Sequence, residues 1–346
     1  MKRAVLVGCG VMGARWATAL AKPPLRQRVE LVGLVDAEPG LADRVRAANG
    51  FVSAVSGTNL DTVLGQVRAD VVFDVAVPTA RRQIVLSSFA HGCDVLTEKP
   101  MASSMRDAND ILEAARRSGR VHAVTQNRRF KASIRRIKDA LASGAIGDVS
   151  ALYCDFFVGA HFGGFRDEMN HVLLLDMAIH TFDAARYMSG RDAVSVYCKE
   201  TNPKGSWYAH GAAADAIFEF TDDVVFNYRG SWAAEGANTS WEATWRIVGS
   251  RGTLLWDGES EITVNVVDGA EGFFRPLHPV ELPSWTDASV TQEHVSVIAD
   301  FLDALERGTT PESVGTDNVK SLAMVFGAIE SAARRQSVLI DAGKNN

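Results

Sequence analysis

The first third of the chain alternates short apolar runs with stretches of helical periodicity. Runs that are apolar at consecutive positions are typical of strands buried on both faces of a parallel sheet. The helical stretches between them predict crossover connections, and therefore a parallel α/β domain over residues 1–123. The predicted strands are residues 3–7, 29–35, 71–77, 94–97 and 121–125, and the predicted helices include residues 14–20, 81–91 and 103–117.

The rest of the chain has longer strands and a different order of elements, which predicts a second, α+β domain over residues 124–346. Two of its strands are close enough in sequence to form a hairpin across residues 221–223. The predicted helices are residues 133–143, 171–188, 291–306 and 316–335, and the predicted strands include residues 149–158, 213–220, 224–232, 241–248 and 252–256.

The first apolar run leads into a glycine motif, Gly8-x-Gly10-x-x-Gly13, which is followed by a helical stretch. Gly8 permits a tight turn, Gly10 allows backbone to approach a pyrophosphate, and Gly13 allows the helix to pack closely on the strand. Phosphates would bind at the helix N-terminus, beside Val11 and Met12. Glycine triplets also occur in ordinary turns, but the strand before and the helix after favour a dinucleotide site.

An acidic residue, Asp36, ends the second apolar run a little more than twenty residues after Gly13. Its carboxylate is suited to accept hydrogen bonds from both ribose hydroxyls of an adenosine. A 2′-phosphate would meet this carboxylate with like charge, and residues 37–39 contain no Arg or Lys. The pattern therefore favours NAD as the cofactor, while Arg15 and Arg44 leave NADP open.

Two further strand ends carry polar residues or proline. Pro78-Thr79 follows the third run, and Glu98-Lys99-Pro100 follows the fourth. Because ligands bind outside the carboxyl ends of parallel strands, these segments and the glycine motif are expected to face one crevice. A lysine in such a loop is also common as a plain solvated residue.

Composition and charge exclude several classes of function. The chain has 346 residues, is 47% hydrophobic and carries a net charge of −6, which is typical of a globular protein of two domains. Without a concentrated basic stripe, no nucleic-acid partner is expected. No apolar run reaches the length of a membrane span, so a cytoplasmic protein is expected. The four cysteines form no C-x-x-C pair, so neither a disulfide framework nor a metal site is expected.

The predicted helix at residues 171–188 contains charged residues at helical spacing. His180 follows Asp176 by four residues, and Asp183 follows His180 by three. A regular helix would therefore project all three from one face of an otherwise apolar segment. Such residues are candidates for acid and base chemistry. Alternatively, Asp176 and His180 form an internal hydrogen-bonded pair that fixes the helix against its neighbour.

The combined pattern resembles the Gfo/Idh/MocA oxidoreductases. The matching features are the glycine motif, Asp36, Glu98-Lys99-Pro100 and the Asp176-x-x-x-His180-x-x-Asp183 spacing, and the resemblance covers essentially the whole chain. It implies an N-terminal Rossmann domain and a C-terminal domain with a large, open, mostly antiparallel sheet. In this family the face of that sheet often makes the oligomer contact, which implies a homo-dimer or homo-tetramer.

The resemblance also implies roles for particular residues. Lys99 and His180 match the catalytic positions of the family, and Asp176 and Asp183 match positions that orient them or hold substrate hydroxyls. The loop containing His161 and Arg166 would cover the substrate. The segment of residues 76–82 lacks a histidine that many members carry there. The pocket on the nicotinamide side of the cofactor is therefore expected to differ.

The expected function is the interconversion of a secondary alcohol and a ketone on a sugar, sugar derivative or cyclitol. Hydride would pass to C4 of the nicotinamide, His180 would act as acid and base, and Lys99 would polarise the reacting oxygen. Two alternatives stay open at this point. One is a glycoside-cleaving enzyme that uses transient oxidation and elimination, and the other is a non-catalytic NAD-binding regulator.

Overall fold

The computed structural model describes residues 1–285, 287 and 290–343. These residues form two compact units. The N-terminal unit comprises Met1–Asn127 and Gln292–Val319, and the C-terminal unit comprises Arg128–Thr291 with the described residues from Lys320 onwards. The chain therefore leaves the N-terminal unit after Asn127, returns to it at Gln292, and leaves it again after Val319.

The N-terminal unit is built on a parallel sheet. Its strands are β1 (Lys2–Val7), β2 (Val29–Val35), β3 (Val55–Gly57), β4 (Val71–Asp74), β5 (Asp94–Thr97) and β6 (His122–Val124). Their order is β3-β2-β1-β4-β5-β6, and each pairing is parallel. The central strands are buried on both faces, as their apolar runs predicted. This order is that of a Rossmann fold, so the predicted fold class is confirmed for this part of the chain.

The helices of this sheet follow its strands in alternation. They are α1 (Val11–Leu20), α2 (Leu41–Ala48), α3 (Leu60–Gln66), α4 (Pro78–Ala90) and α5 (Met105–Ser118). Local sequence sets their ends: Ser104 Oγ accepts a hydrogen bond from Asp107 N–H at 3.0 Å and begins α5. Gly119, at φ +64°, ends the same helix in the left-handed conformation that glycine adopts without strain.

Strand β4 ends at Asp74, before the end of the apolar run that predicted a strand through residue 77. Asp74 is buried, and its Oδ1 accepts a hydrogen bond from Ala76 N–H at 2.9 Å. This bond turns the chain away from the sheet. Helix α4 then begins at Pro78, a residue favoured in the first helical turn, and not at residue 81 as predicted.

The C-terminal unit contains the larger sheet. Its strands are β7 (Val149–Phe157), β8 (Ala193–Thr201), β9 (Ala213–Phe220), β10 (Val225–Ser231), β11 (Thr244–Gly249), β12 (Gly252–Trp256), β13 (Ile262–Val267), β14 (Leu277–Pro279) and β15 (Val338–Leu339). Their order is β14-β13-β12-β11-β7-β10-β9-β8-β15, and β7 with β10 is the parallel pair among these strands. The expectation of a large, mostly antiparallel sheet is confirmed.

One face of this sheet forms the core of the C-terminal unit. Along β9 the side chains alternate between buried and exposed, which is the pattern of a strand with one covered face. Phe226 stacks on Phe218 at 5.6 Å and on Trp245 at 6.0 Å between ring centroids. Aromatic side chains from three strands therefore pack as one layer on the buried face.

Four more helices complete the described part of the chain. These are α6 (Ala132–Ala142), α7 (Ile179–Ser189), α8 (His294–Arg307) and α9 (Gly315–Arg334). No helix within the described residues has both the length and the apolar character needed to cross a membrane.

Helix α8 belongs to the N-terminal unit. Arg28 Nη2, which lies just before β2, forms ion pairs with Asp303 Oδ1 at 2.6 Å and Glu306 Oε2 at 3.1 Å on this helix. Farther along, Val124 N–H of β6 donates to Ser313 O at 3.0 Å. These bonds join the returning segment to the edge strand β6 and to the chain just before β2.

A buried ion pair fixes α7 in the C-terminal unit. The Arg129 guanidinium donates two hydrogen bonds to the Asp183 carboxylate, at 2.7 Å and 2.6 Å. Ser321 Oγ donates a third at 2.7 Å. Arg129 is 4% exposed and Asp183 is 2% exposed. Because both charges are out of water, each is stable there only with the other present.

We expect Arg129→Met to lower the free energy of unfolding by about 3–5 kcal/mol, because the buried Asp183 carboxylate loses the guanidinium that donates two hydrogen bonds to it, and the cation that remains near it, Arg186 Nη1, is 4.0 Å away. The matched control is Arg229→Met, which removes an exposed pair with Asp155 (2.5 Å, 63% and 31% exposed) and should cost at most about 1 kcal/mol. Urea unfolding followed by tryptophan fluorescence measures both. Equal losses in the two variants would contradict the assignment of Asp183 as a buried, fully paired carboxylate.

Candidate active site

The glycine turn after β1 has no room for larger residues at two positions. Gly8 has φ +88°, and a Cβ there would lie 2.6 Å from the backbone nitrogen of Ala76. A Cβ on Gly13 would lie 1.9 Å from Gly8 O. Both contacts are far shorter than atoms allow, so the close packing of turn, helix and neighbouring loop requires glycine at both positions.

The third glycine faces open space. A Cβ on Gly10 would meet nothing within 4 Å, and Gly10 is the N-cap of α1 without a side chain that caps the helix. Val11 and Met12, the first residues of this helix, are exposed. Unpaired N–H groups and the positive end of a helix dipole at an open surface suit a phosphate.

The Asp36 carboxylate is held in a fixed position at the end of β2. Its Oδ2 accepts a hydrogen bond from Cys9 N–H at 2.6 Å, and its Oδ1 accepts one from Glu38 N–H at 2.8 Å. The acid is therefore tied directly to the glycine turn. The sequence left open that Arg44 binds a 2′-phosphate. In the structure Arg44 forms an exposed ion pair with Glu38 at 2.9 Å.

A cavity of about 540 Å³ opens between these elements within the N-terminal unit. It is of the size that encloses a ligand of small-molecule dimensions. Its lining comes from the ends of β1, β2 and β4 and from the first turns of the helices that follow. The lining residues include Gly8, Gly10, Asp36, Ala37, Thr58, Asn59, Ala76, Val77 and Gln83.

Pro78 and Thr79 lie in the first turn of α4, at the same edge of the sheet. Pro78 is half-buried and Thr79 is exposed. The sequence placed both beside the cofactor, and the structure puts them directly after Val77, which lines the cavity.

Glu98, which follows β5, is buried and hydrogen-bonded inside the unit. Trp16 Nε1–H donates to its Oε1 at 2.9 Å, and His294 Nε2 lies 3.3 Å from the same oxygen. Burial raises the pKa of Glu98, but the hydrogen bonds from His294 and Trp16 and the charge of Lys99 outweigh it and hold the pKa below its usual value. The carboxylate is thus an internal anchor of the loop.

His294 was not among the residues found from the sequence. It lies at the start of α8, almost two hundred residues after Glu98, and no local motif marks it. Only the return of this segment to the N-terminal unit brings the two together.

Lys99 follows Glu98 and is half-buried. Its backbone N–H donates to Glu98 Oε2 at 3.2 Å. The carbonyl of the next residue, Pro100, accepts a hydrogen bond from the Arg81 guanidinium. The backbone on both sides of Lys99 is therefore held by buried side chains.

In the C-terminal unit, the segment with Asp176 and His180 departs from the predicted regular helix. Residues Leu173–Ala178 form a π-helix, and the α-helix α7 begins only at Ile179. π-Helical turns are frequent at functional sites, where the wider turn changes the direction of side chains. Asp176 lies in the π-helix and His180 in the first turn of α7, both half-buried.

The two acidic residues of this segment have different partners in the structure. Asp183 belongs to the buried pair with Arg129 described above. Asp176 Oδ2 instead accepts a hydrogen bond from Arg166 Nε–H at 2.6 Å. The sequence placed Arg166 in the loop over the substrate but gave no sign of this pairing. The Arg166 guanidinium also lies over the rings of Phe162 and Phe165, at 5.0 Å and 4.8 Å.

His161 lies on the exposed part of the same loop. Its Nε2 is 2.7 Å from Glu235 Oε1, and its ring stacks on Trp207 at 3.6 Å between centroids. Trp207 Nε1–H in turn donates to Ala160 O at 3.2 Å. The loop therefore rests on aromatic rings of the C-terminal unit.

Comparison with known proteins places the chain in a class. The NAD-binding Rossmann-fold model of the GFO/IDH/MocA oxidoreductases matches residues 2–126, and the model of the GFO/IDH/MocA C-terminal domain matches residues 134–255. The chain belongs to the Gfo/Idh/MocA family of oxidoreductases, as the sequence motifs predicted.

Named relatives match the chain over nearly its whole length. A 1,5-anhydro-D-fructose reductase of Ensifer adhaerens is 25% identical over 99% of this chain and 100% of that protein. An inositol 2-dehydrogenase of Rhizobium meliloti (strain 1021) is 24% identical over 97% and 98%, respectively. An oxidoreductase structure from Agrobacterium radiobacter in complex with NAD+, L-tartaric acid and magnesium has a TM-score of 0.84, with 21% identity and 98% of each chain covered. The last likeness shows a shared fold.

The expected cofactor is confirmed, because the N-terminal domain of this family is an NAD-binding Rossmann fold. The described residues fit that cofactor. Gly10 leaves space beside an uncapped helix end, and Asp36 is fixed next to the glycine turn. The cavity at this edge is large enough for one half of a dinucleotide.

We expect Asp36→Asn to weaken discrimination between the cofactors, because the amide keeps an acceptor for Cys9 N–H but no longer repels a 2′-phosphate. The ratio of the NADP to the NAD dissociation constant should fall by about tenfold or more, as measured by calorimetric titration. Asp43→Ala serves as the control, since Asp43 is an exposed acid bonded to Ser56 and Arg46. An unchanged ratio in Asp36→Asn would contradict the role given to the carboxylate.

His171 introduces a pH-dependent contribution to stability. Its Nδ1 lies 2.6 Å from Glu200 Oε2, and this hydrogen bond raises the pKa of His171 against the opposing effect of partial burial. A raised folded pKa stabilises the fold fully below the unfolded value of about 6.5, and the contribution is lost as the pH rises through the folded pKa.

His171→Gln should therefore lower the melting temperature most near pH 5.5 and progressively less towards pH 9. In a Glu200→Gln background, the same substitution should have an effect that no longer depends on pH. Differential scanning calorimetry across this range measures both. A difference that grows with pH would contradict the pairing.

Proposed function

We propose that this protein catalyses the reversible NAD-dependent oxidation of a secondary alcohol on a sugar, sugar derivative or cyclitol. The observation that carries the proposal is the structural environment of Lys99. Its loop is anchored by buried groups, while Lys99 itself is half-buried at the ligand edge of the Rossmann sheet. A cation held in this way is suited to act on a bound substrate more than to serve as a solvated surface residue.

The chemistry of the C-terminal unit supports the same function. His180 is half-buried in a segment where π-helix changes to α-helix, one helical turn from Asp176. An imidazole titrates near neutral pH, so it can take a proton from a hydroxyl and return it in the reverse direction. The relatives named as a reductase and an inositol dehydrogenase act on substrates with such hydroxyl or carbonyl groups.

In the proposed mechanism, His180 accepts the proton of the substrate hydroxyl at a ring nitrogen as the C–O bond gains carbonyl character. The Lys99 ammonium donates a hydrogen bond to the reacting oxygen and stabilises the negative charge that develops on it. Asp176, itself held by Arg166, orients the histidine or a substrate hydroxyl. When bound, NAD supplies the acceptor for the hydride that leaves the carbinol carbon.

Other residues have supporting roles in this proposal. Gly8, Gly10 and Gly13 shape the phosphate site, with Val11 and Met12 at the helix end. Asp36 receives the adenosine ribose, and Pro78-Thr79 and Glu98-Lys99 face the cofactor edge. His161 and Arg166 shape the substrate loop. We assign Asp183 a positioning role, because its carboxylate is fully engaged by Arg129 and Ser321.

The substrate class is tested by absorbance at the reduced-nicotinamide band. The purified protein is mixed with NAD and myo-inositol or D-apiose, and with NADH and 1,5-anhydro-D-fructose, along with other sugars and cyclitols. Substrate-dependent change in absorbance supports the proposal. Bond cleavage without net reduction of NAD would instead indicate the redox-assisted lyase, and bound NAD without any chemistry would indicate a regulator.

The catalytic assignment predicts large losses of turnover in Lys99→Met and His180→Ala. Each should lower kcat by about a hundred- to ten-thousandfold and leave the dissociation constant of NAD near that of the wild type. Lys22→Met and His210→Ala are matched controls, because both residues are exposed, and both should retain full turnover. Normal turnover in Lys99→Met or in His180→Ala would overturn that residue's assignment.

A further inference from the structure

A buried ion pair lies at the end of β4, in the region where the chain departs from the usual family pattern. Arg81 is 1% exposed and Asp74 is 0% exposed, and Arg81 Nε donates to Asp74 Oδ2 at 3.1 Å. Removing two charges from water carries a large desolvation cost, and apolar residues of the same size often stabilise a fold as well or better. Stability alone therefore does not account for this pair.

The guanidinium of Arg81 joins the turn after β4 to the loop that contains Lys99 and Pro100. Its Nε bonds Asp74 at the end of β4, its Nη2 donates to Ala76 O at 2.7 Å in the following turn, and its Nη1 donates to Pro100 O. The planar fork of an arginine is suited to donate in several fixed directions at once. Asp74 adds a direct link, since its carbonyl accepts a hydrogen bond from Glu98 N–H at 2.8 Å.

These bonds fix the backbone on both sides of Lys99. Before it, Glu98 is tied to β4, and after it, Pro100 is tied to Arg81. A lysine side chain has many rotamers, and an anchored backbone reduces the number of positions that its ammonium group reaches. The backbone from which the Lys99 side chain extends is therefore fixed in part by the Asp74–Arg81 pair.

We propose that Arg81 is a positioning residue for catalysis: held by Asp74, it fastens the Lys99-Pro100 backbone so that the Lys99 ammonium is presented to the reacting oxygen. This inference rests on the proposed function, in which Lys99 is catalytic. Arg81 touches neither substrate nor the reacting atoms in this proposal, and it acts only through Lys99.

The neighbouring arginine provides a matched control. Arg82, on the same turn of α4, forms exposed ion pairs with Asp110 at 2.7 Å and Asp107 at 3.7 Å. Arg81→Lys keeps a positive charge beside Asp74, but its single nitrogen cannot replace three donors that point in different directions. Arg82→Lys makes the same chemical change at a site whose ion partners, Asp107 and Asp110, belong to α5.

The first measurement is hydrogen exchange by mass spectrometry on the NAD-saturated protein, and it needs no substrate. In Arg81→Lys, the amides of residues 98, 99, 101 and 102 should exchange about five- to tenfold faster, as expected for the loss of about one hydrogen bond of local stability. Because Arg81 also bonds Asp74 and Ala76, exchange within residues 74–82 is expected to change as well. Peptides outside these two segments, and the Arg82→Lys protein, should exchange as in the wild type. Unchanged exchange over residues 98–102 would overturn the proposal.

If Arg81→Lys does not fold, the double variant that combines Asp74→Asn with Arg81→Met is used for the same measurement. The asparagine keeps an acceptor for Ala76 N–H, and the pair leaves no unpaired buried charge. Faster exchange over residues 98–102, with wild-type exchange outside these residues and residues 74–82, supports the proposal here as well, and wild-type exchange over residues 98–102 overturns it.

The second measurement is a double-mutant cycle on turnover, with the substrate that gives the strongest signal in the sugar and cyclitol panel. Arg81→Lys alone should lower kcat by roughly ten- to a hundredfold, the scale of a misplaced catalytic group, without raising KM for NAD. In a Lys99→Met background the same change should have no further effect. The proposal would be overturned if Arg81→Lys lowered kcat equally in both backgrounds, or if it raised KM for NAD and left kcat unchanged.

The cycle separates the failure of this inference from that of the proposed function. Wild-type turnover in Lys99→Met would refute the catalytic role of Lys99, and with it the role of Arg81 in catalysis. Lost turnover in Lys99→Met with wild-type turnover in Arg81→Lys would refute the role of Arg81 alone.

Discussion

The parallel pairing of β1 with β2 on one side and β4 on the other is the constraint on which the N-terminal unit depends. Val7 at the end of β1 pairs with Val35 and with Asp74, so the three strands stop at the same level. Whatever follows each strand in sequence must then lie at one edge of the sheet. The glycine turn, Asp36 and the turn after β4 are brought together by this register.

Much of this arrangement could be predicted from the sequence because its determinants are local. The glycine motif requires residues without side chains at Gly8 and Gly13, and the contacts in the structure explain why. The apolar runs of the parallel strands and the β9–β10 hairpin follow from short-range patterns. The same locality explains the cap at Ser104. The Glu98-Lys99-Pro100 motif, which matches the family pattern, identifies Lys99 in the same way.

The features that could not be predicted depend on residues far apart in the chain. Nothing local to Glu98 signals His294, and regular helical spacing gives no warning of the π-helix before α7. Spacing also grouped Asp183 with the residues proposed for chemistry, whereas its environment is that of a buried structural charge at 2% exposure. By contrast, the half-buried residues Lys99 and His180 keep partial access to solvent. Burial thus distinguishes Asp183 from Lys99 and His180, and spacing does not.

The return of α8 to the N-terminal unit has a consequence for how the protein is made. Arg28 and Glu98 are synthesised early, but their partners Asp303 and His294 follow strands β7–β14 of the C-terminal unit in the chain. Domains generally fold as units during synthesis, and contacts between distant parts of a chain form late. The nucleotide-binding unit therefore gains its contacts with α8 only after most of the C-terminal sheet has been synthesised.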